Sequence, residues 1–184
     1  MKRKIYQQLL QWKEQEKGHV AILIEGARRV GKSYIAEEFA RNEYRSYILI
    51  DFAHITKTMK RVFDDYLEDT STFFQYLQTV SGVKLYERES IIIFDEIQKY
   101  PRARQAIKHL VADGKYDYIE TGSLVSINCT AEDILVPSEE RSVQMFPMDF
   151  EEFLWALGDE MTMPFIRDCF EHKRPLGPMH RKAM

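Results

Sequence analysis

The chain has 184 residues, of which 45% are hydrophobic and 30% charged, with 11 Phe, 10 Tyr and 2 Trp. At roughly 100–200 residues per domain this allows one domain with a short appendage, and the apolar content excludes overall disorder. Twenty-six Lys and Arg against 29 Asp and Glu leave a net charge of −3. A global basic field of the kind that drives nonspecific nucleic-acid binding is therefore excluded, and any such contact needs a local patch.

Residues 3–16 read as an amphipathic helix, with Ile5, Leu9 and Trp12 at helical spacing and an end near Gly18. Val20 to Ile24 is a short, wholly apolar run, the pattern of a strand buried on both faces. A loop bracketed by Gly26 and Gly31 follows. Tyr34, Ile35, Ala36, Phe39 and Ala40 then mark a helix, and Tyr47 to Phe52 a second strand. Two helical faces come next, Met59 to Leu67 and Phe73 to Val80, the second ended by Ser81-Gly82. Ile91 to Phe94 is another buried strand. Pro101 opens a helix that Gly114 stops, and Tyr116 to Thr121 and Val143 to Phe146 read as further strands.

Asp149 caps a last helix with Glu152 at its third position and Phe150, Phe153, Leu154 and Leu157 as its apolar face; Gly158 closes it. Strands alternating with helices predict an α/β fold with a parallel sheet covered on both faces. From Gly158 the pattern loosens, with Pro164, Pro175 and Pro178, and the final His-Arg-Lys-Ala-Met stops without a helix end or turn. The expected organisation is residues 1–157 as one domain and 158–184 as the start of a truncated extension.

Cys129 and Cys169 are too few and too far apart for a disulfide framework or a CxxC pair, which fits a reducing, cytoplasmic compartment. No stretch approaches about 18 apolar residues, so no membrane span is expected. His19, His54, His109, His172 and His180 have no ligand spacing, so zinc is not expected. The basic clusters Lys2–Lys4, Lys173–Arg174 and Arg181–Lys182 could touch nucleic acid or simply be solvated.

Gly26-Ala27-Arg28-Arg29-Val30-Gly31-Lys32-Ser33 matches GxxxxGK[ST] between a predicted strand and a predicted helix, the context the motif requires. With glycine at about 7% of residues, a chance match in such a chain has odds on the order of one per cent. Glycines let the backbone amides of residues 26–34 turn toward phosphate oxygens, and the helix beginning near Tyr34 adds its positive end. Lys32 supplies a cation for the β- and γ-phosphates and Ser33 a hydroxyl for Mg²⁺. The side chains of Arg28 and Arg29 are expected to point outward. Asp95 and Glu96 end the Ile91–Phe94 strand, at the sheet edge where α/β folds bind ligands. Asp95 suits Mg²⁺, directly or through water, and Glu96 suits a general base for an attacking water, with Gln98 helping to position it.

These residues resemble the AAA-related P-loop ATPases with an added catalytic glutamate, which in prokaryotes often carry a C-terminal domain of uncertain role. The resemblance rests on GARRVGKS, IIIFDEIQ, Glu120-Thr-Gly-Ser123 and the segment Glu140 to Leu154. It implies a three-layer αβα sandwich with a five-stranded sheet ordered 5-1-4-3-2, ATP with Mg²⁺, and hydrolysis that moves an attached domain or partner. It further implies Thr121 or Ser123 as a γ-phosphate sensor, and Arg141 as an arginine that reaches a neighbouring subunit's nucleotide. A homo-oligomer, a protein partner engaged through a C-terminal region, and a helical lid from residue 158 follow from the same resemblance. The competing readings are a binding module with little turnover and a small-molecule kinase. A GTPase is disfavoured, because neither Asp95-Glu-Ile-Gln98 nor Thr56-Lys-Thr-Met59 supplies the guanine-selective motifs.

Overall fold

The computed structural model describes residues 2–123 and 140–177. Cys129, His180 and the Arg181–Lys182 cluster lie outside them. The chain divides into two compact units, one of residues 5–146 and one of residues 1–4 with 147–184.

The larger unit is a five-stranded parallel sheet between two helical layers. Its elements are α1 (Ile5–Glu16), β1 (Ala21–Gly26), α2 (Lys32–Glu43), β2 (Ser46–Asp51), α3 (Lys57–Tyr66), α4 (Thr70–Ser81), β3 (Ser90–Asp95), α5 (Pro101–Asp113), β4 (Asp117–Ser123) and β5 (Glu140–Met145). The strand order β2-β3-β4-β1-β5 is the expected 5-1-4-3-2 read from the other edge. Every pairing is parallel. The period-2 alternation of a strand divides the apolar runs between two cores. Ile22, Ile24, Ile91, Ile93 and Ile119 meet Trp12, Phe39 and the other buried residues of α1 and α2. Leu23, Ile92, Phe94 and Tyr118 face α3, α4 and α5, where Phe52, Phe63 and Phe73 interlock edge to face.

Local chemistry sets the element ends. Asp69 caps α4 by accepting from Thr72 N at 3.2 Å. Gly82 and Gly114 close α4 and α5 in the left-handed conformation, and Pro101 occupies the first turn of α5. Three strands run further than their apolar runs. β1 continues through Glu25 and Gly26 because β4 and β5 pair with those residues on either side. β4 reaches Ser123. β5 begins at Glu140, where pairing with Ala21 holds an edge strand that hydrophobicity alone does not mark. A 3₁₀ turn at Ile97–Lys99, which periodicity does not reveal, links β3 to α5.

The second unit contains α6 (Phe150–Ala156) and α7 (Thr162–Glu171). Asp149 and Glu152 form the expected capping box, with Asp149 accepting from Glu152 N at 2.9 Å. The expected apolar face of α6 is corrected by the structure. Leu154 is buried, but Phe150, Phe153 and Leu157 are 44%, 49% and 69% exposed while Glu151 and Glu152 are buried. The acids turn inward because cations meet them there. Arg3 Nε lies 3.2 Å from Glu152, Lys4 bonds Asp149 and Glu151, and Arg167 bonds both oxygens of Glu151 at 2.8 and 2.6 Å. Periodicity does not mark α7, and Pro164 lies in its sequence. The proline falls in the first turn, where its missing amide has no intrahelical partner to lose. Among the described residues no helix is long and apolar enough to cross a membrane.

Three outcomes are expected. A Cβ at Gly26 would stand 2.3 Å from the Met145 carbonyl oxygen, whereas one at Gly82 meets nothing within 4 Å. Gly26→Ala should cost about 1–3 kcal/mol in chemical denaturation, clearly more than Gly82→Ala, which bears only its left-handed backbone strain. In the second unit, hydrogen bonds from Lys4 and the Glu152 amide hold the Asp149 carboxyl below its ordinary range, and those from Arg167 and Lys4 do the same for Glu151. A depressed folded pKa contributes stability above the ordinary carboxylate value and loses it as pH falls through the folded one. Amide exchange across 150–156 should therefore quicken as pH drops below about 4, after correction for intrinsic rates, and Asp149→Ala should remove about 1 kcal/mol of helix stability at neutral pH.

Candidate nucleotide site

Four elements bring the polar groups together at the carboxyl end of the sheet. β1 delivers Gly26, and its close approach to the Met145 carbonyl explains why glycine stands there. Arg29 and Gly31 adopt positive φ, 65° and 99°, and turn the loop into α2. Gly31 is the N-cap, with no side chain capping the first turn, so the positive end of α2 faces the loop it follows. Ala27, Arg28 and Arg29 are exposed, as expected of the arginines, and Val30 is half-buried. Tyr34 is 53% exposed on the first turn.

Lys32 is buried beneath the loop, and its ammonium donates to the carbonyls of Gly26 at 3.1 Å and Ala27 at 2.9 Å. Burial pushes its pKa down, while the nearby carboxylates of Glu96 and Asp95 oppose that shift. The ammonium thus sits between the loop and the acid pair.

Asp95 connects three elements. Its Oδ1 accepts from Ser33 Oγ of α2 at 2.7 Å and from Thr121 Oγ1 of β4. The same Thr121 oxygen accepts from the backbone amide of Glu96 at 3.2 Å. Glu96 has φ 54°, ψ 45°, a left-handed conformation unusual for a non-glycine residue, and its carboxylate accepts from Gln98 Nε2. Gln98 therefore holds the side chain that sequence analysis singled out as a base. Among the described residues no three or more His, Cys, Asp or Glu side chains are arranged as a metal cage. The hydroxyl and carboxylate of Ser33 and Asp95 form a hard-oxygen donor set, which fits Mg²⁺, an ion held by one or two protein oxygens together with phosphates.

Ser33, Asp95, Glu96, Lys32 and Thr121 are thus brought together, and of the two sensor candidates it is Thr121 that bonds Asp95. Ser123 is buried at the end of β4, in register with Gly26. Arg141 lies apart. It pairs in register with Ile22, about 13 Å along the strand from the level of Gly26, and its half-exposed side chain lies 3.5 Å from Glu16 of α1.

Sequence analysis assigned no role to Glu120, which is completely buried on β4 opposite the Thr121 face. Burial pushes its carboxyl well above the ordinary range, and the neighbouring Glu140 adds to this, while Arg104 opposes it. Burial also raises Glu140, against Arg104, whose Nη2 donates to it at 3.2 Å. An acid next to the apolar Tyr118-Ile119 pair of β4 was the available signal.

A family model described as an AAA domain matches residues 18–154. No curated protein matches the chain. Among solved structures, Caenorhabditis elegans PCH-2 aligns at 13% identity and a TM-score of 0.41, over 91% of this chain and 44% of that one. The chain thus spans less than half the length of that protein. With the motif residues and the strand order in agreement with the family match, the chain belongs to the AAA domain family and forms a P-loop, nucleotide-binding ATPase-like domain.

Proposed function

We propose that this domain binds ATP with Mg²⁺ and hydrolyses it, and that hydrolysis moves an attached domain or partner. The observation that carries the reading is Asp95, whose single carboxylate oxygen ties the P-loop serine to the β4 threonine beside the Glu96 turn. Ser33 and Asp95 would hold Mg²⁺, which would supply positive charge against that of the phosphates. The loop amides of residues 26–34 cradle the phosphates, and the Lys32 ammonium exchanges its two carbonyl contacts for β- and γ-phosphate oxygens. Glu96, oriented by Gln98, accepts a proton from the attacking water. Thr121 holds the Glu96 amide and the Asp95 carboxylate in one geometry, so a change at the γ-phosphate reaches β4 directly. Ser123 stands ready at the strand end as a further hydroxyl toward the same edge.

In this reading residues 1–157 form the nucleotide domain and 158–184 begin a helical lid or C-terminal extension. The two widely separated cysteines fit a cytoplasmic setting. Arg141 acts only on the nucleotide of a neighbouring subunit.

Lys32→Ala should abolish ATP binding in calorimetry. Glu96→Gln should retain binding and lose turnover by about 10²-fold or more; equal rates for wild type and Glu96→Gln would remove the assigned base. Phosphate release in water without any added acceptor separates hydrolysis from kinase chemistry. Arg141→Ala should slow turnover only at protein concentrations where subunits assemble, so an equal loss under dilute and assembled conditions argues against an intersubunit role.

A further inference from the structure

β2 is an edge of the parallel sheet, with β3 on one side and no strand among the described residues on the other. The amide of Phe52, just past the strand, donates to the Asp95 carbonyl of β3 at 3.0 Å. Backbone groups alternate sides along a strand, so the amides and carbonyls of Tyr47 and Leu49 point away from β3. They border a cleft of about 610 Å³ that runs along residues 45–49, between Arg41 at the end of α2 and Met59 and Val83 on the opposite layer. Ser46-Tyr-Ile-Leu-Ile-Asp51 has neither proline nor lysine within the strand, and its one charge is at its last residue.

The strand is also complementary to itself. Tyr47, Leu49 and Asp51 share one face of β2 by alternation, Tyr47 and Leu49 packing there against the core beside α2, and Arg45 stands just before the strand, where its amide donates to the Glu89 carbonyl at 2.9 Å. When two copies pair antiparallel about an axis at Ile48, Tyr47 of each lies opposite Leu49 of the other, and their outward amides and carbonyls make hydrogen-bonded pairs. In that register Arg45 of each copy lies opposite Asp51 of the other, so both ends carry an ion pair. A one-residue slip puts Arg45 opposite Phe52 and removes both. Arg45 now bonds the exposed Glu89 at 3.0 Å, and Asp51 bonds His54 at 2.7 Å. Such exposed ion pairs contribute little, so the cost of exchanging them for cross-strand partners falls mainly on the stack of Arg45 over the Tyr86 ring at 3.6 Å and on the bond Asp51 accepts from the Ala53 amide at 2.8 Å.

We propose that β2 is a self-association edge, through which a second copy of this chain pairs antiparallel and joins the two sheets into one. The contact is independent of the nucleotide reading and of Arg141, which lies on β5 at the far edge of the sheet.

The test is sedimentation equilibrium of the full chain from micromolar concentration upward, with circular dichroism to confirm folding of every variant. Wild type should dimerise. Arg45→Asp or Asp51→Arg alone places like charges opposite one another twice per dimer and should raise the dissociation constant by at least about tenfold. The double exchange Arg45→Asp with Asp51→Arg should restore it to within about threefold. Amide exchange at Tyr47 and Leu49 should slow with rising wild-type concentration. A chain that stays monomeric, a dimer indifferent to the single exchanges, or a folded double variant that fails to recover would each overturn the proposal, the first leaving the edge to an extended segment of another protein.

Discussion

The polar site depends on one carboxylate oxygen. Asp95 Oδ1 accepts from both Ser33 and Thr121, and those hydroxyls come from elements far apart in sequence. The contact needs β4 to lie between β1 and β3, because the strand before the P-loop and the strand bearing the acid pair are not neighbours. The strand order supplies that arrangement, and parallel direction brings all three carboxyl ends to one edge. The fold therefore positions the site by its connectivity before any side chain is chosen.

The side chains then secure it at some local cost. Glu96 sits at φ 54°, a conformation that costs about 1–3 kcal/mol for a non-glycine residue. Its backbone amide donates a hydrogen bond to Thr121 Oγ1 and its carboxylate accepts one from Gln98, so the contacts that fix the residue also offset the backbone strain. Gly26 meets a different demand. Its missing Cβ leaves room for the Met145 carbonyl, which allows β5 to run alongside the start of the loop. The first glycine of the motif thus serves sheet packing as much as loop curvature.

Most of the sheet and its phosphate loop were legible because buried parallel strands are nearly continuous apolar runs and the loop carries its own spacing. β5 was legible only in part. Its polar residues Glu140 to Ser142 are kept in register by β1, and no local pattern reports such pairing. α6 was read with its buried and exposed faces confused, since hydrophobic periodicity assumes that apolar residues turn inward. Here Arg3, Lys4 and Arg167 claim the inner side for Glu151 and Glu152. Three cations distant in sequence outweigh the periodic signal, and only the tertiary arrangement brings them together. At the site, the P-loop and acid pair announced themselves by spacing, whereas the resemblance offered Thr121 or Ser123 only as a phosphate sensor and the bond from Thr121 to Asp95 depends on strand order, which no local pattern reports.

Glu120 shows how the same strand carries two unlike demands. Thr121 faces the P-loop side and bonds Asp95, while Glu120, one residue earlier, faces α5, where Arg104 meets Glu140. One guanidinium cannot neutralise two buried carboxylates, so the cluster is uncharged only when the pair retains a proton. That agrees with the upward pKa shift of both acids. A group whose folded pKa is raised contributes stability at low pH and loses it as pH rises through the folded value. The acids that cap α6 behave in the opposite sense, so the two units respond to pH from opposite directions. The strand that holds Thr121 against Asp95 is thus backed by a cluster whose charge depends on one proton, and any force that ionises it acts on β4 one residue from the nucleotide site.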